Sequence, residues 1–393
     1  LVARQLGTQQ YGLLLFLISY VALFAPVTNL GLRPYTVREI AANLDRTIEI
    51  VEDMPVLRFG LALIAMIIAA AYLLLSEQEF SMLLISIVII QLAFNALTGC
   101  FIDALYGVES MKSVATAMIV SGAIVQVGCL IAVLLKADLA GFVGAYTAGS
   151  MVLLAMSWFV FHRRVGPFRF RPLRYEHFKH IKNSWSFFFQ NVVSTIRQRL
   201  DVVLINTLLG AHASGIYGSA LMLVQRLEFI GDGIASALFP RVADLHGKST
   251  EELQRLVRGA FKIVLVISTP IAVGLLSVSD DIIYLLFGSQ YRESSTAVAI
   301  LGAGIPFMFA YGVMFNVLGA MRLQRLVLYV TIVGSTLSIF YMLAGIKLGA
   351  EGCGVRAEGR VTRFPAYEVG VVDGSGAGDA FMALAFRSSP AAR

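Results

Sequence analysis

The stretch LRFGLALIAMIIAAAYLLLS (57–76) runs for twenty residues with Arg58 as its single charged group. Twenty residues of α-helix rise about 30 Å, the thickness of a bilayer's hydrocarbon core. Runs of the same kind recur on both sides of it, at 11–32, 81–106, 114–135, 139–161, 184–209, 215–239, 259–280, 295–320 and 326–345. Gly and Pro interrupt several of them, which membrane helices tolerate better than soluble ones. The pattern predicts an all-α integral membrane protein of about ten transmembrane helices.

Composition points the same way. Of 393 residues, 58% are hydrophobic and 14% charged, with a mean hydropathy of +0.77. Soluble domains carry about 25% charged residues, so much of this apolar surface must face lipid. The net charge of +6 would suit nucleic acid, but the placement of the basic residues suits a membrane surface instead. Three cysteines, Cys100, Cys129 and Cys353, are too few and too scattered for a disulfide framework or a metal cluster. No charged n-region with a cleavage site opens the chain.

Counting Lys and Arg in alternate connections separates two unequal sets. Eighteen fall on one side: Arg33, Arg38, Arg46, Arg58, Lys112, seven in 162–183, then Arg241, Lys248, Arg255, Arg258, Arg322 and Arg325. Arg4, Lys136 and Arg292 fall on the other. Basic residues stay in the cytoplasm during insertion, so the larger set is cytoplasmic. A cysteine at position 212 should therefore react with a membrane-impermeant maleimide in whole cells, while one at position 170 should not. The reverse labelling would invert the orientation.

The most basic connection, HRRVGPFRFRPLRYEHFKHIKN (162–183), reads as a cytoplasmic linker between two bundles, 1–161 and 184–345. It is expected to act as a retention signal that also touches anionic headgroups, rather than as a specific binding segment. A short internal repeat supports the two halves. LGTQQYG (6–12) is echoed by LGAHASGIYG (209–218), and Arg38 by Arg241. Each copy places a Gly-bearing turn on the external side before a span, and an Arg where that span meets the cytoplasm. Transporters are often built from such repeats.

Three segments carry a family resemblance: RQLGTQQYGLLLFLISYVALFAPVTNLGLRPYTVREIA (4–41), LDVVLINTLLGAHASGIYGSALML (200–223) and DDIIYLLFGSQYRESSTAVAILG (280–302). In this order and spacing they resemble the bacterial polysaccharide flippases of the multidrug/oligosaccharidyl-lipid/polysaccharide exporter superfamily, over 1–345. The resemblance implies a truncated flippase fold, lacking a helix before Leu1 and one or more after 345. It also implies a multi-pass protein of the bacterial cytoplasmic membrane. Its substrate would be an undecaprenyl-pyrophosphate-linked oligosaccharide for O-antigen, lipopolysaccharide or exopolysaccharide synthesis. Membrane lipids and polysaccharide polymerase machinery would be its partners, with no nucleic acid and no cofactor. A multidrug or lipid II exporter is the rival within the same superfamily.

The residues agree with that expectation. Arg197, Arg199 and Asp201 lie mid-way in the sixth predicted span, and Arg226, Glu228 and Asp232 in the seventh. An ionised side chain at bilayer depth costs about 2.5–3.5 kcal/mol on insertion scales, so such groups line a wet cavity or pair with one another. The three arginines are candidate pyrophosphate ligands, because a guanidinium donates two hydrogen bonds at once. The three carboxylates are candidates for sugar hydroxyls or a coupling ion. Interhelical salt bridges that lock the fold are the alternative for all six. Asn95 and Asp103 on the third span are further polar candidates, with Asp103 near the cytoplasmic end and read as a solvated helix terminus.

The tail differs from the rest. IKLGAEGCGVRAEGRVTRFPAYEVGVVDGSGAGDAFMALAF (346–386) has the pattern strand, turn, strand, then a Gly-rich turn into a helix. It resembles the C-terminal part of ribokinase-like (PfkB) sugar kinases, with their GAGD signature at Gly376, Ala377, Gly378 and Asp379. By that resemblance Asp379 would be the base towards the substrate hydroxyl, and the three preceding residues the anion hole. Asp373-Gly374-Ser375 departs from the family's DTT before that signature. The short α/β fragment 346–393 supplies neither a sugar pocket nor a central sheet. It is expected to be an inactive, chimeric addition, and the chain is expected not to be an enzyme. A carbohydrate kinase is the alternative.

Overall fold

A computed structural model describes residues 1–75, 80–167, 175–246, 248–321, 323, 326–327, 329–334, 336, 354–357 and 360–363. Among the described residues the main α-helices follow in order: α1 (Val2–Leu23), α2 (Ala25–Asn29), α3 (Leu32–Ala42), α4 (Thr47–Leu75), α5 (Met82–Gly107), α6 (Met111–Leu134), α7 (Leu139–Arg164), α8 (Tyr175–Leu245), α9 (Thr250–Phe287) and α10 (Ser294–Ala320). Among the described residues, eight helical stretches are long and apolar enough to cross a membrane. The chain is an all-α integral membrane protein. Nine of the ten predicted spans fall on these stretches, because α8 contains both the sixth and the seventh. Residues 326–327 and 329–334 of the tenth are helical, and most of its remainder lies outside the described residues.

The outer faces suit lipid. On α4, Ile64, Ile67 and Ile68 are each more than half exposed, and only 17% of the apolar window of α6 is buried. A helix apolar on every face has no polar side to turn to water.

The boundaries differ from the sequence reading in instructive places. The first span starts at Val2 rather than 11. It is broken after Leu23, where Pro26 opens the short α2. Leu30 and Gly31 then adopt left-handed backbone (φ 44° and 70°) and turn the chain into α3. The second span starts ten residues earlier than predicted, at Thr47. Arg58, counted above among the connections, thus stands inside α4, and the basic split remains lopsided without it. Downstream of the spans, β1 (Gly354–Ala357) and β2 (Arg360–Arg363) pair antiparallel with Gly354 opposite Arg363. Gly376, Ala377, Gly378 and Asp379 lie outside the described residues.

The chain divides into two compact units: Leu1–Leu6 with Leu17–Leu200, and Gly7–Phe16 with the described residues from Asp201 on. Residues 184–200, read from sequence as the start of the second bundle, group with the first unit. Within that unit α5 packs against α4, α6, α7 and α3. Its core joins Leu32, Ile40, Val51, Met54, Cys100, Ala104 and Phe161.

In the second unit α9 packs along α10, and the two copies of the repeat meet. Gly7 and Gly210 share one backbone conformation, φ 71°, ψ 173° and φ 90°, ψ 173°. Only glycine adopts that region without strain, so the sequence match of Leu6-Gly7 with Leu209-Gly210 is a match of backbone geometry. Thr8 Oγ1 lies 2.7 Å from His212 Nδ1, and Ser214 Oγ donates to the Gly12 carbonyl at 3.4 Å. The Tyr11 ring meets that of the buried Tyr291 edge-on at 6.0 Å. Burial pushes the Tyr291 hydroxyl above its ordinary range, and the neighbouring Tyr11 adds to the shift.

Candidate functional site

The six charged residues singled out on the sixth and seventh spans are placed differently from one another. Arg197 belongs to α8, with its side chain outside the described residues. Arg199 is half-buried in the first unit. Asp201 is buried in the second, where its carboxylate accepts from the Tyr217 hydroxyl at 2.7 Å and from the Val202 amide at 2.8 Å. Arg226 and Asp232 are exposed and Glu228 is half-buried. Gly312 lies opposite Asp232, close enough that a Cβ there would stand 3.6 Å from Asp232 Oδ1.

Within the first unit the structure assembles a charged site that the sequence reading did not. Asp103 is only 2% exposed, so it is not a solvated helix terminus. Arg58 on α4 is equally buried and donates through Nη2 to Asp103 Oδ2. The same Nη2 donates to Asn29 Oδ1 at 3.2 Å, and Asn29 Oδ1 also accepts the Arg33 amide at 3.1 Å. Arg33 Nε stands 3.5 Å from Asp103 Oδ1, with its guanidinium 4.8 Å from the centre of the Tyr106 ring.

Local structure explains how the groups meet. The α2–α3 turn presents Asn29 and Arg33 four residues apart. α4 and α5 are consecutive helices that pack together, which brings Gly99 against Arg58. A Cβ at Gly99 would fall 1.7 Å from Arg58 Nη1, so the absent side chain makes room for the guanidinium. Asp103 follows one helical turn later on the same face of α5.

The cluster borders a cavity of about 350 Å³, whose polar lining includes Asn29, Arg33, Arg58, Asn95, Thr98 and Asp103. The charged lining residues are two arginines and one aspartate, leaving one positive charge in excess. Among the described residues Arg58 Nε has no acceptor. A fully buried guanidinium N–H without a partner is uncommon, because its desolvation is left uncompensated. The signal in the sequence was an Arg in one span facing Gly99 and Asp103 in the next. It was lost because Arg58, at the edge of its predicted span, was counted with the connection before it, and Asp103 was read as a solvated helix terminus. Asn95, selected from sequence, does line this cavity.

A family model described as "Polysaccharide biosynthesis protein" matches residues 1–246. The chain belongs to this family. A second family model, MatE, matches residues 187–343. It is 24% identical over 318 residues to the "Putative O-antigen transporter" of Shigella flexneri, covering 75% of this chain and 72% of that one. It is also 22% identical over 184 residues to the "Probable low-salt glycan biosynthesis flippase Agl15" of Haloferax volcanii, covering 45% of this chain and 39% of the relative.

Two solved structures share the fold at 15% identity and a TM-score of 0.62. One is an inward-facing multidrug resistance MATE family transporter of the MOP superfamily, covering 98% of this chain and 92% of that one. The other is the lipid II flippase MurJ in an inward closed conformation, covering 97% and 86%. The chain is thus a multi-pass membrane protein of the polysaccharide biosynthesis family that shares the fold of both solved structures.

Proposed function

We propose that this chain flips a lipid-linked oligosaccharide, carried on undecaprenyl pyrophosphate, across the bacterial cytoplasmic membrane for surface polysaccharide synthesis. Within a polysaccharide biosynthesis family, the observation that carries this reading is the cavity in the first unit with its excess positive charge. Flipping a pyrophosphate through an apolar bilayer requires buried cations, since the phosphate charge loses its water on the way. Arg33 and Arg58 supply such cations beside polar Asn29, Asn95 and Thr98. Membrane lipids surround the chain, and polymerase machinery takes up the product on the far side. The chain acts as a transporter and not as an enzyme, and the kinase-like residues 376–379 play no part.

A multidrug exporter is the second reading, favoured by the likeness to the MATE structure. Cavity charge separates the two, because cationic drugs call for an acidic, aromatic lining. Export of surface glycan in a strain lacking its own flippase tests the proposal. Arg197→Lys or Arg199→Lys is expected to abolish export in at least one case, because an ammonium cannot reproduce the bidentate fork. Wild-type export by both would remove these two arginines from the substrate path. No export by the unmutated chain would remove the flippase reading.

A further inference from the structure

We infer that the Arg58–Asp103–Arg33 cluster is an anion-exchange site, in which Asp103 is an internal stand-in that an incoming phosphate-type oxyanion displaces. The inference rests on the flippase reading for its biological ligand, but its geometry is independent of that reading. The two oxygens of Asp103 are divided between two arginines. Oδ2 accepts from Arg58 Nη2, and Oδ1 lies 3.5 Å from Arg33 Nε. Neither guanidinium therefore receives the paired acceptors that its fork fits best. Arg58 uses only one edge nitrogen, Nη2, for both of its acceptors, and leaves Nε without any among the described residues.

As it is placed, the Asp103 carboxylate spends one oxygen on Arg58 Nη2 and turns the other to Arg33, so Nε of Arg58 goes unserved. A phosphate or pyrophosphate has three or more oxygens on one centre. It can give two to the Arg58 edge and one to Arg33, and it carries the negative charge that the two-to-one lining lacks. Arg33 suits the role of a receiving arm. Its side chain is 49% exposed, while Arg58 and Asp103 are 3% exposed, so it reaches from the open side of the cluster. Asn29 Oδ1 and Gly99 keep Arg58 in register for the exchange. The stand-in anion has a further consequence. It offsets one of the two arginine charges while the cavity is empty, and it sets a threshold that chloride, a single atom unable to bridge both guanidinium groups through several oxygens, does not overcome.

The test is binding of inorganic pyrophosphate to the detergent-solubilised chain, read by calorimetry and by the ligand-induced thermal shift. Wild type is expected to bind it, and Arg58→Lys to bind about tenfold more weakly because the fork is lost. Asp103→Asn is expected to bind several-fold more tightly, since the competing charge is gone, and to show the larger thermal shift. A merely structural ion pair predicts the opposite, with Asp103→Asn losing whatever Arg58→Lys loses. That result, or no binding by wild type, would overturn the inference. If Asp103→Asn does not fold, Arg33→Gln decides, and undiminished binding by that variant is equally fatal. Farnesyl diphosphate binding more tightly than pyrophosphate would identify a lipid headgroup as the ligand, and equal binding a free anion. Glycan export that persists without pyrophosphate binding would sink this site and leave the flippase reading standing.

Discussion

Asp103→Ala is expected to destabilise the first unit by about 3–5 kcal/mol, the usual consequence of removing one partner of a buried ion pair. Arg58 would remain deeply buried, with Asn29 Oδ1 as its one remaining acceptor among the described residues. Gly99→Ala should reach a similar end by another route. Its Cβ would fall on Arg58 Nη1, and the guanidinium is too buried to swing aside. Thermal unfolding in detergent, monitored by fluorescence, measures both. The double variant Arg58→Leu/Asp103→Leu is the informative control. Replacing a buried pair with apolar residues is often neutral or stabilising, so the double variant should regain stability that either single loss forfeits. It should still fail to bind pyrophosphate. A single Asp103→Ala variant as stable as wild type would mean that the pair is solvated in the membrane.

The same site shows where the sequence was readable and where it was not. Apolar runs long enough to span a bilayer are a one-dimensional signal, and nine spans were found from them. The repeat was also legible, because a backbone that only glycine adopts leaves a glycine at the same place in both copies, Gly7 and Gly210. The start of α4 was hidden. TIEIVEDMPV (47–56) carries three acidic residues and a proline, which reads as a polar connection. In the structure Glu52 and Asp53 are buried at 8% and 7% exposure. Burial of a carboxylate depends on partners elsewhere in the chain, and one strand of text does not show them. Arg58, at the very start of the predicted span, was therefore counted with the connection before it, and Asp103, near the end of its own span, was assigned to solvent because its partner was not visible. The charged residues of α8 were found because they interrupt an apolar run, but a run cannot say which of them face one another.

The second large effect is expected in the second unit, where two backbones touch. A Cβ at Gly12 would fall 1.8 Å from the Ala211 carbonyl oxygen, and one at Gly215 2.0 Å from the Thr8 carbonyl oxygen. Neither obstacle is a side chain that can rotate away. The two repeat copies, residues 6–12 and 209–218, must separate to admit even a methyl group, and the Ser214–Gly12 and Thr8–His212 hydrogen bonds go with them. Gly12→Ala and Gly215→Ala should each lose more than about 3 kcal/mol, above the usual range for overpacking. Gly122→Ala and Gly274→Ala, with open space around both positions, should instead match wild type or gain up to about 1 kcal/mol, as helical glycines replaced by alanine do. Gly210→Ala separates sterics from backbone strain. Nothing stands within 4 Å of its Cβ, but φ is +90°, so a loss of about 1–3 kcal/mol is expected from the dihedral alone. The ordering Gly215 worst, Gly210 intermediate and Gly274 neutral, read from unfolding midpoints, requires both the close approach and the shared glycine geometry. Equal midpoints for all three would mean that the two copies do not pack as described.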